Sequence, residues 1–223
     1  PGSSETPPAR YTLERYPDNP LLVIREEIAA LQEGNSDVVG QLIIDGILDE
    51  TVVMRNNTYY LNHNAADVYS GYGAVFADEN LNFRYPPENI LLYGRTSYEG
   101  KTFAPLKNYI SGGFDFAKQY AFLSFNSLYE EARYVIIAVI QSSGDSTADD
   151  YFDAQALSFA TDEEMLAYAA DAISRSLYNF NVGVQATDRL LTLVTLSDGT
   201  DSSRIIIVCR MLRDGEYDGY IQE

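Results

Sequence analysis

A chain of 223 residues, 46% of them apolar, is long enough to bury one sizeable core and too apolar to be a disordered tail. Its 33 acids against 15 Lys plus Arg give a formal charge of −18, which repels phosphate backbones and argues against nucleic-acid partners. The single cysteine, Cys209, excludes an internal disulfide and a thiolate-rich metal cluster, and no apolar run reaches the ~20 residues of a membrane helix.

Residues 1–19 mix Pro, Ser, Glu and Asp without apolar periodicity and read as a linker or stalk, which leaves 20–223 as one domain. Asn19 as a cap, Pro20 in the first turn and Gly34 at the exit predict a helix, with Leu21, Ile24, Ile28 and Leu31 as its apolar face. From Val38 the texture is β. Runs at 38–44, 58–61, 74–76, 90–93, 134–140, 190–195 and 205–208, bounded by Gly, Asn, Asp or Pro, predict the short strands of an antiparallel barrel or sandwich. Residues 102–109 and 114–120 predict helical turns between them. Thr161-Asp-Glu-Glu164 is a capping-box pattern, and Met165, Ala169, Ala172, Ile173 and Leu177 follow at helical spacing. A helix of about four turns therefore interrupts the strands. The stretch 142–174 holds eight acids and neither Lys nor Arg.

Several segments, taken in order, resemble one family. They are Asn35-x-Asp-Val-Val-Gly40, Tyr59-Tyr-Leu-Asn-His-Asn64, Gly73-Ala-Val-Phe-Ala-Asp78, Asn89-Ile-Leu-Leu-Tyr-Gly94 and Gly100-Lys-Thr-Phe-Ala-Pro-Leu106. Tyr134-Val-Ile-Ile-Ala-Val139, Leu191-Thr-Leu-Val-Thr195 and Arg204-Ile-Ile-Ile-Val208 complete the series. Over roughly residues 20–213 the chain is similar to class B sortases, the cysteine transpeptidases that attach proteins to Gram-positive cell walls. The resemblance implies a mainly β fold: a closed antiparallel barrel with an N-terminal helix and a helical insertion before the penultimate strand.

The resemblance also assigns positions. Family members read Tyr-Gly-His where this chain reads Tyr93-Gly94-Arg95, and Leu-Thr-Leu-Ser-Thr-Cys where it reads Leu191-Thr-Leu-Val-Thr-Leu196. Their catalytic arginine is matched by Arg204. The nucleophile position thus holds Leu196 and the acid/base position Arg95. A leucine has no lone pair with which to attack a carbonyl, and a guanidinium does not give up its proton near neutral pH. The expectation is a pseudo-sortase that performs no transpeptidation, needs no cofactor and binds through Arg95, Thr195, Leu196, Ser197 and Arg204. Its place of action is the outer face of a Gram-positive cell, its partner a sorting-signal peptide, a pilus or a cell-wall component, and its only membrane contact a removed N-terminal anchor. Two other readings stand beside this one: a transpeptidase or hydrolase that works without cysteine through other residues, and a purely structural surface module.

The remaining reactive groups have plainer readings. Cys209 lies five residues after Arg204 on one strand, so it faces the other way and packs as a small hydrophobe. His63, the sole histidine, falls in a segment distinct from the catalytic one and reads as structural. A Ser197–His63 arrangement lacks a nucleophile-elbow sequence. Asp145, Asp149, Asp150, Asp198 and Asp201 have no EF-hand spacing and read as solvated turns rather than calcium ligands. Arg95 and Arg204 serve either as fixed cations for an anion or a peptide backbone, or as partners of nearby acids such as Asp198 and Asp201.

Overall fold

Residues 15–96, 100–196 and 203–216 are those described by the computed structural model. They form strands β1 (Val38–Ile44), β2 (Leu48–Val53), β3 (Val75–Ala77), β4 (Asn89–Arg95), β5 (Phe122–Ser127), β6 (Glu131–Ser143), β7 (Leu190–Leu196) and β8 (Ser203–Met211). The strands close into a barrel in the order β1-β2-β3-β4-β7-β8-β6-β5. Leu42, Val52, Leu91, Leu193 and Ile207 are among the fully buried side chains of its core. The expected closed barrel is present, with a refinement in strand direction: β2–β3 and β4–β7 run parallel, and the other six seams run antiparallel. Both parallel pairs are joined by long excursions rather than hairpins, the connection that parallel neighbours require.

Helices α1 (Glu26–Gln32), α2 (Asn108–Ser111), α3 (Gly113–Gln119) and α4 (Asp162–Arg175) decorate the barrel. The last matches expectation in its cap and in Met165, Ala169 and Ala172, but it ends at Arg175, before Leu177. Thr161 Oγ1 accepts from the Glu164 amide at 3.2 Å, and the Glu164 carboxylate reaches back to the Ala160 amide at 2.8 Å. Met165, Ala169 and Ala172 are buried, whereas Ile173 and Leu177 stay largely exposed. Just past α4, Ser176 Oγ accepts from Val139 N, and Leu177 N donates to Val139 O, so β6 is covered beyond the end of β5.

Three local expectations are corrected. The first helix starts at Glu26, not after Asn19. The Asn19 side chain closes a loop on both backbone groups of Val23, and Leu22 takes the left-handed conformation (φ 55°). Of its four apolar positions only Ile28 is buried, and Leu21 is 85% exposed. Residues Tyr59–Leu61 form a 3-10 turn rather than a strand, because Asn56 Oδ1 accepts from the amides of Thr58 and Tyr59. Strands β2 and β5, which the sequence reading passes over, break the apolar runs with polar residues of every exposure: Asp49 is exposed, Glu50, Ser124 and Asn126 are half-buried, and Ser127 is buried.

Tyr16, within the segment read as linker, is buried, and its hydroxyl donates to Phe83 O at 3.0 Å. Residues 1–14 lie outside the described residues. Among the described residues, no helix is long and apolar enough to cross a membrane.

Candidate functional site

Register builds the site. Strands β4 and β7 pair so that Arg95 stands opposite Leu196, and β7 pairs with β8 through Val194 opposite Ile206. One step on, Thr195 Oγ1 accepts from the Ile205 amide at 2.8 Å; continuing the antiparallel register by one more residue sets Arg204 beside Leu196. Residues opposite one another across a ladder project to the same face, so Arg95, Leu196 and Arg204 form a row across three adjacent strands. At ~4.8 Å per strand, the two arginine backbones are about 10 Å apart with the leucine between them.

Each member of the row is half-buried. The Arg95 guanidinium donates from Nη1 to Leu61 O at 3.0 Å and to Gly71 O at 3.5 Å, while its buried Nε has no partner. Its backbone is clamped as well. Arg95 O accepts from Thr102 Oγ1 at 2.5 Å and from Phe103 N at 3.0 Å. Thr102 does this at φ 43°, a left-handed conformation that a β-branched residue adopts only under strain. Gly94 is required where it stands, since a Cβ there would lie 2.6 Å from the Phe103 ring. Two residues before Arg95, and so on its face, Tyr93 donates to the buried Asp78 carboxylate at 3.0 Å. Burial, then Asp78, pushes the Tyr93 phenol far above its usual range, and the charge of Arg204 acts against them. Arg204 is therefore within electrostatic reach of Tyr93. Among the described residues, no hydrogen bond or ion pair holds its guanidinium.

The other candidates fall elsewhere. Cys209 is fully buried between Ile136 and Leu191 on the neighbouring strands, and burial raises its thiol well above the ordinary range. His63 stacks on Tyr59 with ring centres 4.2 Å apart, and its Nδ1 lies 3.1 Å from Tyr59 O. Asp145 accepts from both the amide and the hydroxyl of Thr147, which lowers its pKa and closes a turn. No group of three His, Cys, Asp or Glu among the described residues is placed to hold a metal ion. Ser197, Asp198 and Asp201 lie outside the described residues. Clefts of about 620 Å³ beside Pro105 and about 710 Å³ beside Tyr16 include none of the row, so the site rests on its chemistry rather than on volume. Sequence reading misses Thr102 and the Leu61 and Gly71 carbonyls, since a positive φ and a carbonyl's direction leave no mark on residue type.

A closed eight-stranded barrel with a helix inserted between β6 and β7 defines a sortase-like protein. No family model matches the chain. Sortase B of Listeria monocytogenes is 30% identical over 195 residues, spanning 86% of this chain and 76% of that protein. Sortase B of Staphylococcus aureus is 22% identical over 194 residues. Among solved structures, a Staphylococcus aureus sortase B–substrate complex superposes with a TM-score of 0.76 at 21% identity, covering 86% of this chain and 87% of that one. Bacillus anthracis sortase B in complex with AAEK2 gives 0.76 at 24% identity, covering 91% and 89%. The chain belongs to the sortase B family.

Proposed function

We propose that this domain is a sortase B relative that binds rather than transfers, acting at the surface of a Gram-positive cell. The observation that carries the reading is the row itself. On the family resemblance, Leu196 occupies the nucleophile position and Arg95 that of the acid/base. Thioester chemistry needs an accessible thiolate and a group that exchanges a proton near neutral pH. The chain's one thiol is buried and poorly ionised, and its one imidazole is stacked on Tyr59. What the row offers is two fixed cations and an apolar side chain, which suit recognition.

The solved Staphylococcus aureus complex is one of sortase B with substrate. By that kinship we read the ligand of this domain as a sorting-signal peptide or a pilus or cell-wall component, met on the face that carries Arg95, Leu196 and Arg204; Thr195, expected among the binding residues, is instead buried on the opposite face with its hydroxyl bonded to the Ile205 amide. The segment before Tyr16 would then serve as the stalk to a membrane anchor, since Tyr16 and Asn19 already belong to the folded domain. The test is direct: the purified chain is incubated with fluorogenic sorting-signal peptides and an amine acceptor. No cleavage above buffer is expected. Turnover that survives purification and is lost on substituting one defined residue overturns the reading.

A further inference from the structure

In a chain with more than twice as many acids as bases, half-buried and buried arginines mostly meet carboxylates: Arg25 meets Glu131, Arg189 meets Glu130 and Arg210 meets Glu216. Arg95 and, among the described residues, Arg204 depart from this pattern. Arg95 is held by backbone carbonyls through Nη1 alone, leaving a buried, unpartnered Nε and the edge it shares with Nη2. That edge carries the two parallel N–H vectors that a carboxylate engages with both oxygens. The strained Thr102 fixes the backbone beneath it, and strain of this kind persists where the surrounding structure enforces one geometry. Arg204 adds a second cation with no carboxylate partner among the described residues, and Leu196 lies between the two as an apolar floor.

We infer that this face takes a ligand ending in a carboxylate with an apolar group beside it. The carboxylate oxygens take the Nε–Nη2 edge of Arg95, uncovering the buried Nε as they bind, while Arg204 supplies the second positive charge and the apolar group rests on Leu196. A monoanion is favoured over a dianionic phosphate because the field of a molecule of charge −18 opposes an approaching anion in proportion to its charge. The C-terminal residue of a peptide and a short-chain carboxylic acid share this chemistry. The inference rests on the proposed reading of the row as a binding face.

The test uses the whole chain and follows arginine Nε–H signals by nitrogen-15 NMR, with Arg95→Lys assigning one of them. The probes are acetyl-trialanine acid, its C-terminal amide, hexanoate and inorganic phosphate. The peptide acid or hexanoate should saturate the Arg95 signal, and the tighter of the two names the source. The amide should bind at least about tenfold more weakly. Arg95→Met and Arg204→Met should each weaken the acid by about tenfold, while each melts within a few degrees of the parent. Arg95→Lys, which keeps the charge but not the fork, should also weaken it. Phosphate binding tighter than either carboxylate, or no carboxylate binding at millimolar concentration, overturns the inference. Amide binding equal to acid overturns it too, but leaves the binding face in place. If instead no probe binds and both Met variants melt higher than the parent, the binding face fails along with the inference.

Discussion

Leu196 and Cys209 are the two positions where residue identity bears most on chemistry, and their surroundings separate them. Leu196 is half-buried at the end of β7 with Arg95 opposite it across the ladder, whereas Cys209 sits in the core with its thiol pKa raised by burial. A thiol placed at Leu196 would gain access, and the neighbouring cations would favour its thiolate. In Leu196→Cys, the new thiol should therefore react with iodoacetamide at least about tenfold faster than Cys209, read by peptide mass spectrometry over a time course. Equal labelling of the two would mean that Leu196 does not share a face with Arg95 and Arg204.

Among the elements, α4 was legible because its signals are local. The Thr161 hydroxyl satisfies an orphan amide of its own first turn, and Met165, Ala169 and Ala172 repeat at a helical period. Thr161→Ala should lower stability by about 1 kcal/mol, measured by urea denaturation, with the barrel otherwise unchanged. An unaltered midpoint would show that the contacts of Ser176 and Leu177 with Val139 hold the helix without its cap. The start of α1 was not legible. Asn19 and Pro20 look like a helix entrance, yet the same Asn side chain closes a loop on Val23 and the helix begins seven residues later. An asparagine serves both structures, and residue type alone does not choose between them.

At the scale of the whole molecule, a buried ion cluster ties the chain beyond β8 back to the barrel. Arg210 is fully buried, donates to Gly183 O and pairs through both Nη atoms with the Glu216 carboxylate, while Arg213 pairs with Asp188. The hydrogen bonds from Arg210 are the main cause holding the Glu216 carboxyl below its ordinary value of 4.5. The unfolded chain thus binds this proton more readily than the folded one. The contribution is full above about pH 4.5 and is lost as pH falls through the lowered folded value. Glu216→Gln removes the nearer of two carboxylates at the buried Arg210, leaving Asp188 Oδ2 3.9 Å from its Nε, and should cost about 1–3 kcal/mol at pH 7. It should also flatten the acid limb of a stability–pH curve, measured by thermal melts from pH 7 to pH 3. A variant that keeps the parent's acid limb would show that Glu216 is not the group being titrated.

The sequence by itself determined the β texture, the α4 insertion and the inward packing of Cys209, because apolar alternation, a capping box and residue order are properties of neighbours in the chain; the choice of a closed barrel and the positions along the row came from the family resemblance. Only the tertiary structure decided that β4 and β7 run parallel with Arg95 opposite Leu196, since strand direction depends on which connections cross the barrel. It alone decided that Arg95 meets the carbonyls of Leu61 and Gly71 instead of an acid, and that Thr102 is bent into a left-handed conformation to hold Arg95. The residues concerned are separated by 7 to 34 positions in the chain. Their meeting is a consequence of barrel closure, which no local pattern of residue types encodes.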